Sequence, residues 1–141
     1  MENFNRLIVK SDITIMLIEN ASDDSVRIEG SKKFTEKIMI IQNGNELIVR
    51  SKNFKDLKKK GIIYIPVHLL QNMEINAAAK VISYNTLQSP VLNVLVNGDC
   101  VIDLILNGRL NIREAEGYNF TYHRIYETKQ SSLVQNSTIN H

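Results

Sequence analysis

The 141 residues contain a single cysteine, Cys100, so no internal disulfide forms. One thiol suits a reducing compartment and equally suits many bacterial envelope proteins, so cysteine usage leaves the compartment open. Histidine is also scarce. His68, His123 and His141 lie far apart, and neither His-x-x-x-His nor Cys-x-x-Cys spacing occurs. A metal site needs such groups close together, so no metal ligand and no cofactor are assigned. A glycine-rich phosphate loop is missing. No apolar run approaches the roughly 20 residues that span a bilayer, which argues against direct membrane insertion. Met1 to Lys10 lacks the basic start and long apolar stretch of an export signal. Either the natural protein is intracellular or such a signal precedes Met1, and localisation stays open. The formal charge of +2 is too small, by itself, to imply a nucleic-acid or membrane-surface partner.

What the chain does contain is Ile, Val and Asn. There are nineteen Ile and ten Val, whose branched Cβ suits a pleated surface. Sixteen residues are Asn, which tolerates the left-handed backbone of turns and can stack in ladders. Many short strands joined by tight turns are therefore expected. With 43% hydrophobic and 23% charged residues, the chain can build a core without staples and is not disordered.

Apolar residues alternate, or form short runs, in Phe4–Val9, Ile13–Ile18, Val26–Glu29, Ile38–Gln42 and Leu47–Val49. Asn43-Gly44 suggests a tight hairpin. Residues 52–60 break the rhythm with five lysines, which predicts a solvated loop pinned by Phe54 and Leu57. A functional basic patch is the sharper alternative, but arginine and interleaved aromatics are lacking there. Gly61–Ile65 reads as a strand ended by Pro66. Leu70, Met73, Ile75, Ala77, Ala79 and Val81 then continue at period 2. No long helix is expected, and Pro66–Leu70 has room for one short turn.

The clearest internal echo comes later. Val91–Gly98 (VLNVLVNG) is followed ten residues on by Val101–Gly108 (VIDLILNG), then by the weaker Asn111–Gly117. Superposing these places Leu92 on Ile102 on Ile112, sets Cys100 opposite Leu110, and forms a polar row of Asn93, Asp103 and Arg113. Two architectures fit: stacked coils of a β-solenoid, or an antiparallel β-meander or sandwich with each Asn-Gly as a hairpin turn. Residues 1–126 read as one domain, and residues 127–141 as a polar tail or end cap.

Cys100 reads as a small buried side chain rather than a nucleophile. Asp99, Asp103, Glu114 and Glu116 cluster, but the expected row pairs one acid with a basic neighbour, not two acids across a groove. No catalytic residues are assigned, and binding residues stay unassigned. A solvated face is the default reading of these groups, and a polar ligand groove on the Asn93, Asp103, Arg113 face ranks ahead of catalysis. Tyr118, Phe120, Tyr122 and Tyr126 alternate and are expected to cover an open end of the core, with a sugar-stacking platform as the alternative. Three matches to the glycosylation acceptor pattern, at Asn20, Asn119 and Asn136, carry no weight in so Asn-rich a chain.

The order of these segments resembles the family of auto-transporter adhesin head GIN domains, over roughly Phe4 to Tyr122. The segments are Phe4-x-x-Leu-Ile-Val, Ile13-Thr-Ile-Met-Leu, Val26-Arg-Ile-Glu-Gly, and the Ile63-Tyr-Ile-Pro-Val segment with spaced Leu70 and Met73 before Ala77-Ala-Ala79. Family members often have Gly- and Ser-rich steps at that alanine run, and usually carry an export signal. The resemblance implies a right-handed, single-stranded β-solenoid displayed at the cell envelope or secreted. It implies no established activity and no catalytic residues. The first reading is a non-catalytic binding or display module recognising surface glycans or proteins, with no nucleic-acid partner expected. A self-assembling scaffold is the alternative, and a polysaccharide-processing enzyme is a more distant third.

Overall fold

A computed structural model describes residues 3–53, 55–114, 120–127 and 132–139, the last two segments through their backbone. The protein is all-β, with twelve strands and one short helix among these residues. The strands are β1 (Arg6–Val9), β2 (Thr14–Glu19), β3 (Arg27–Gly30), β4 (Ile38–Asn43), β5 (Glu46–Ser51) and β6 (Gly61–Val67). They continue with β7 (Asn72–Ile75), β8 (Lys80–Ser83), β9 (Leu87–Val96), β10 (Cys100–Glu114), β11 (Phe120–Glu127) and β12 (Ser132–Ile139). Helix α1 (Lys32–Lys37) joins β3 to β4.

Two ladders curl around one core. The first runs β4-β5-β1-β7-β9 and ends on the second half of β10. The second runs β3-β6-β2-β8, then the first half of β10, then β11 and β12. Every interior pairing is parallel, and only the outer strands β3, β4 and β12 pair antiparallel. Parallel strands in register stack like side chains on like. The inward column Leu47, Leu7, Met73, Val94, Ile112 faces Ile63, Ile15, Val81, Ile102. All but Ile112 of these are buried, each worth roughly 1.5–3 kcal/mol of transfer free energy.

Spatial order departs from chain order. β1 lies between β5 and β7, and β2 between β6 and β8. The first two strands of the sequence are thus enclosed by strands that follow them.

The long β10 belongs to both ladders. Its register shifts between Asn107 and Arg109, around Gly108 at φ 144°. A Cβ there would lie 1.6 Å from the Ser89 carbonyl oxygen, so glycine lets the chain turn the corner against its neighbour.

Several expectations need correction. β9 and β10 run parallel, so neither Asn97-Gly98 nor Asn107-Gly108 closes a hairpin. The ten-residue echo is not the pairing period either. Leu92 pairs with Leu110, Ile102 with Val81, and Cys100 with Phe120 rather than Leu110. Strands of one ladder recur after about twice that interval, and the echo relates the two ladders, which share one inside-outside alternation. Asp103 pairs with Ile82 on the second ladder while Asn93 and Arg113 lie on the first, so the proposed row does not form.

Pro66 does not end its strand. β6 runs on to Val67, and Pro66 pairs with Ile18. Asn20 N–H donates to the Val67 carbonyl, so the next residue back faces away from β2, beyond the last β3 pair at Arg27–Tyr64. A missing N–H costs little where no strand waits for it. No turn of helix forms at Pro66–Leu70. The one helix lies at Lys32–Lys37, capped by Ser31, whose Oγ accepts from Phe34 N–H at 3.2 Å. Its six residues are too few to show helical periodicity.

The β4–β5 hairpin forms where expected, with Gly44 and Asn45 as its two loop residues and Gly44 at φ 61°. Leu57 is buried and pins the 52–60 loop. Phe54, Tyr118 and Asn119 lie outside the described residues, as do the side chains of Phe120, Tyr122, His123 and Tyr126 and all of His141.

Candidate functional site

The outward side of the first ladder forms a shallow recess of about 500 Å³. Register builds it. One outward column reads Glu46, Arg6, Asn72, Asn93, Asn111, and the next reads Ile48, Ile8, Glu74, Leu95, Arg113. Parallel strands about 4.8 Å apart bring like amides to hydrogen-bonding range. Asn111 Nδ2 donates to Asn93 Oδ1 at 3.2 Å. At the strand ends, Asn97 Nδ2 donates to Asn76 Oδ1 at 2.8 Å, and Asn76 Nδ2 to Glu74 Oε2 at 2.9 Å.

Arg6 extends this network. Its Nη2 lies 3.4 Å from Glu74 Oε1 and its Nε 3.6 Å from Glu46 Oε2. These part-exposed pairs contribute little to stability, roughly 0–1 kcal/mol each. They do place the guanidinium between two carboxylates. Its shielded Nε has no hydrogen-bond acceptor, the one such buried side-chain atom among the described residues. Arg113, across the recess, is exposed and has no ion-pair partner among those residues.

Of the three residues expected to share a face, Asn93 and Arg113 do line this recess, and Asp103 does not. The sequence reading missed Arg6, Asn72, Glu74 and Asn111. Asn72 and Asn93 are 21 positions apart and Asn93 and Asn111 are 18 apart. An Asn recurring at about that interval on an outward strand position was the available signal.

A second recess of about 340 Å³ opens on the other ladder, lined by Ser22, Asp23, Arg27, Tyr64, Pro66 and Tyr84, among others. Arg27 stacks on the Tyr64 ring at 4.2 Å. Tyr84 is 67% exposed. Hydrogen bonds from Ser25, including its N–H at 2.9 Å, hold the Asp23 carboxyl below its ordinary range.

Between the ladders lies a buried carboxylate that is structural in role. Glu19 accepts from Gln88 N–H at 2.8 Å and Leu69 N–H at 3.3 Å, and its Oε2 lies 3.3 Å from His68 Nδ1. Asn85 adds two hydrogen bonds to the Glu19 backbone. A carboxylate at 4% exposure needs such partners, and here they tie three corners of the chain together. Leu69 and Asn20 adopt positive φ, 51° and 53°, beside this clasp. Sequence separations of 50 and 69 residues hid it from pattern reading.

Cys100 is buried, and desolvation pushes its thiol up to about 11. Among the described residues no three His, Cys, Asp or Glu side chains come together as a metal site. Among the same residues no helix is long and apolar enough to cross a membrane.

These features define an all-β protein of parallel ladders whose outward faces carry the polar and aromatic recesses. The chain belongs to the family described as putative auto-transporter adhesin, head GIN domain, whose model matches residues 3–121. Its fold is similar to that of a putative adhesin from Parabacteroides merdae, at TM-score 0.62 and 17% identity over 86% of this chain. It spans about half, 52%, of that protein. A putative adhesin from Bacteroides fragilis is similar at TM-score 0.57 and 17% identity, with 88% of this chain and 73% of the other covered. No curated protein matches the sequence.

Proposed function

We propose that this domain is a non-catalytic binding module that recognises a hydrogen-bonding polymer, such as a surface polysaccharide, across the outward face of its first ladder. The observation that carries this reading is the in-register column Asn72, Asn93, Asn111, flanked by Arg6 and Arg113 in one recess. Amides both donate and accept, and a column repeated at strand spacing offers the same pair of groups at each step. A polymer with regularly placed hydroxyls meets such a surface without a deep pocket. Membership of an adhesin-head family and the lack of a clustered acid pair in the recess support recognition without turnover.

On this reading the two ladders are the faces of a short β-solenoid spanning residues 1–126, each turn giving one strand to each face, with residues 127–141 closing one end. The parallel pairing of every interior strand supports that architecture. Antiparallel β3 and β4 occupy both ladder edges at one end, and β12 occupies the edge of the second ladder at the other, which disfavours end-to-end stacking through those three edges. The test is a glycan-array screen, followed by titration calorimetry of the best ligand against Asn93→Ala and Arg113→Ala. Binding that weakens roughly 10-fold or more in either variant supports the recess. Unchanged binding in both, or release of a cleaved product, overturns the reading.

A further inference from the structure

Positive charge is concentrated at one end of the molecule. Residues 32–60 hold nine of the 17 Lys and Arg and only three of the 15 Asp and Glu, a local charge of +6 in a chain of net +2. The sequence showed five of these lysines as one loop, residues 52–60. The fold brings the α1 lysines to the same place.

Helix α1 and the 52–60 loop both serve the outermost strands, since α1 joins β3 to β4 and the loop joins β5 to β6. They touch directly. Lys52 N–H donates to the Lys37 carbonyl at 2.8 Å. Phe34, buried on the inner side of α1, seats against Gly30 and Gly61, where a Cβ on Gly61 would come within 2.4 Å of its ring. The Lys60 carbonyl lies 3.0 Å from where a Gly30 Cβ would sit. Two glycines thus let the helix and the end of the lysine loop approach closely.

Few of these charges are neutralised. Lys32 pairs with Glu36 at 3.8 Å and Lys58 with Asp56 at 3.6 Å. Lys33, Lys37, Lys52, Lys55, Lys59 and Lys60 have no ion-pair partner among the described residues, and all but Lys37 are exposed. Six like charges at one end repel each other, so this arrangement costs stability unless an anionic partner is present.

The chemistry of the patch selects among anions. It is broad and open, with Arg50 as its one arginine, so forked recognition of a single phosphate is not built in. Its one described aromatic, Phe34, is buried and cannot stack on bases. Flexible, hydrated lysines spread over an end surface suit mobile, laterally distributed negative charge.

We propose that this end is a docking surface for an anionic lipid bilayer. The chain sits on the headgroups through the α1 and 52–60 lysines, without insertion, as clusters of four to eight basic residues do. The strand stack then rises from the surface, and the recess spanning β1, β7, β9 and β10 is held away from it. This proposal does not depend on what the recess binds.

The test is co-sedimentation of the full chain with phosphatidylcholine vesicles, with and without phosphatidylglycerol. Binding is expected only to the anionic vesicles, falling roughly 10-fold or more as salt screens the lysines. The combined variant Lys33→Gln, Lys37→Gln, Lys52→Gln, Lys59→Gln, Lys60→Gln should lose about as much. The same five positions changed to Arg should keep it. The salt titration and the Arg variant keep the test decisive if the Gln variant fails to fold. Equal binding to both vesicle types, or to neither, overturns the proposal. So does retention on duplex DNA without retention on anionic vesicles, which would assign this end to a polynucleotide.

Discussion

The two ladders share an interior and differ outside. Inward, both stack Ile, Leu, Val and Met in register, because each position must be apolar and fit its neighbours above and below. Outward, the first ladder carries the Glu46, Arg6, Asn72, Asn93, Asn111 column, whereas the second carries Tyr64, Met16, Ile82, Asp103. The first face therefore holds itself together through amide and ionic contacts. The second relies on half-buried apolar groups, next to the loop after β2 and the Arg27–Tyr64 stack. The core tolerates either solution, so outward composition records what each face meets rather than what the fold needs.

The sharpest way to break this pairing of faces is at their seam. Gly108→Ala puts a Cβ into the Ser89 carbonyl at a positive φ, and should destabilise by about 3–5 kcal/mol in urea denaturation. A loss under about 1 kcal/mol would show that the corner yields easily.

Glu19→Ala should cost roughly 2–4 kcal/mol, because it strands the Leu69 and Gln88 N–H groups beside the corner. Glu19→Gln, which keeps one acceptor oxygen, should cost less. Equal losses would mean that the carboxylate charge, not its hydrogen bonds, carries the clasp.

Comparing one residue from each face is a finer test. Asn93→Ala should cost about 0.5–1.5 kcal/mol through the lost amide contact, and Tyr84→Ala less than about 0.5 kcal/mol. The reverse ranking, measured by chemical denaturation, would show that the aromatic face stabilises more than the amide face.

The last test concerns the interior. The Cys100 thiol is raised from 9.0 to about 11, so it stays protonated at pH 8. Iodoacetamide should label the native chain on the order of 100-fold more slowly than the urea-unfolded chain. The unfolded thiol ionises first as pH rises, so the stability this group contributes should fade between pH 9 and about 11. Rapid native labelling at pH 8 would show that the start of β10 opens readily.

Most strands were legible in the sequence because alternation and burial coincide. Leu7, Val9, Ile15, Leu17, Val81 and Ile102 are all inward and all apolar. Two of the three residues of the expected polar face, Asn93 and Arg113, were legible too. Pairing was not. The VLNVLVNG and VIDLILNG echo looks like one period, but its two copies feed different ladders, and only register separates a half-period from a whole one. Asp103 was misplaced for that reason. Glu19 was not singled out, because nothing local marks a carboxylate whose partners lie 50 and 69 residues away. Pro66 was over-read because the rule that proline ends strands applies only where a neighbour needs the N–H.

The enclosure of β1 and β2 between later strands constrains how the chain assembles. A repeat array built in chain order can grow one unit at a time from its N-terminus. Here residues 6–9 find their two partner strands only after residues 46–49 and 72–75 are available. The N-terminal strand is a centrepiece rather than a starting block, and until the chain reaches β7 its Leu7 and Val9 have no complete place to go. An emerging or translocating chain must therefore hold an incompletely paired apolar strand until residues 72–75 are available, which makes this the segment where a chaperone would most help and where misassembly would begin.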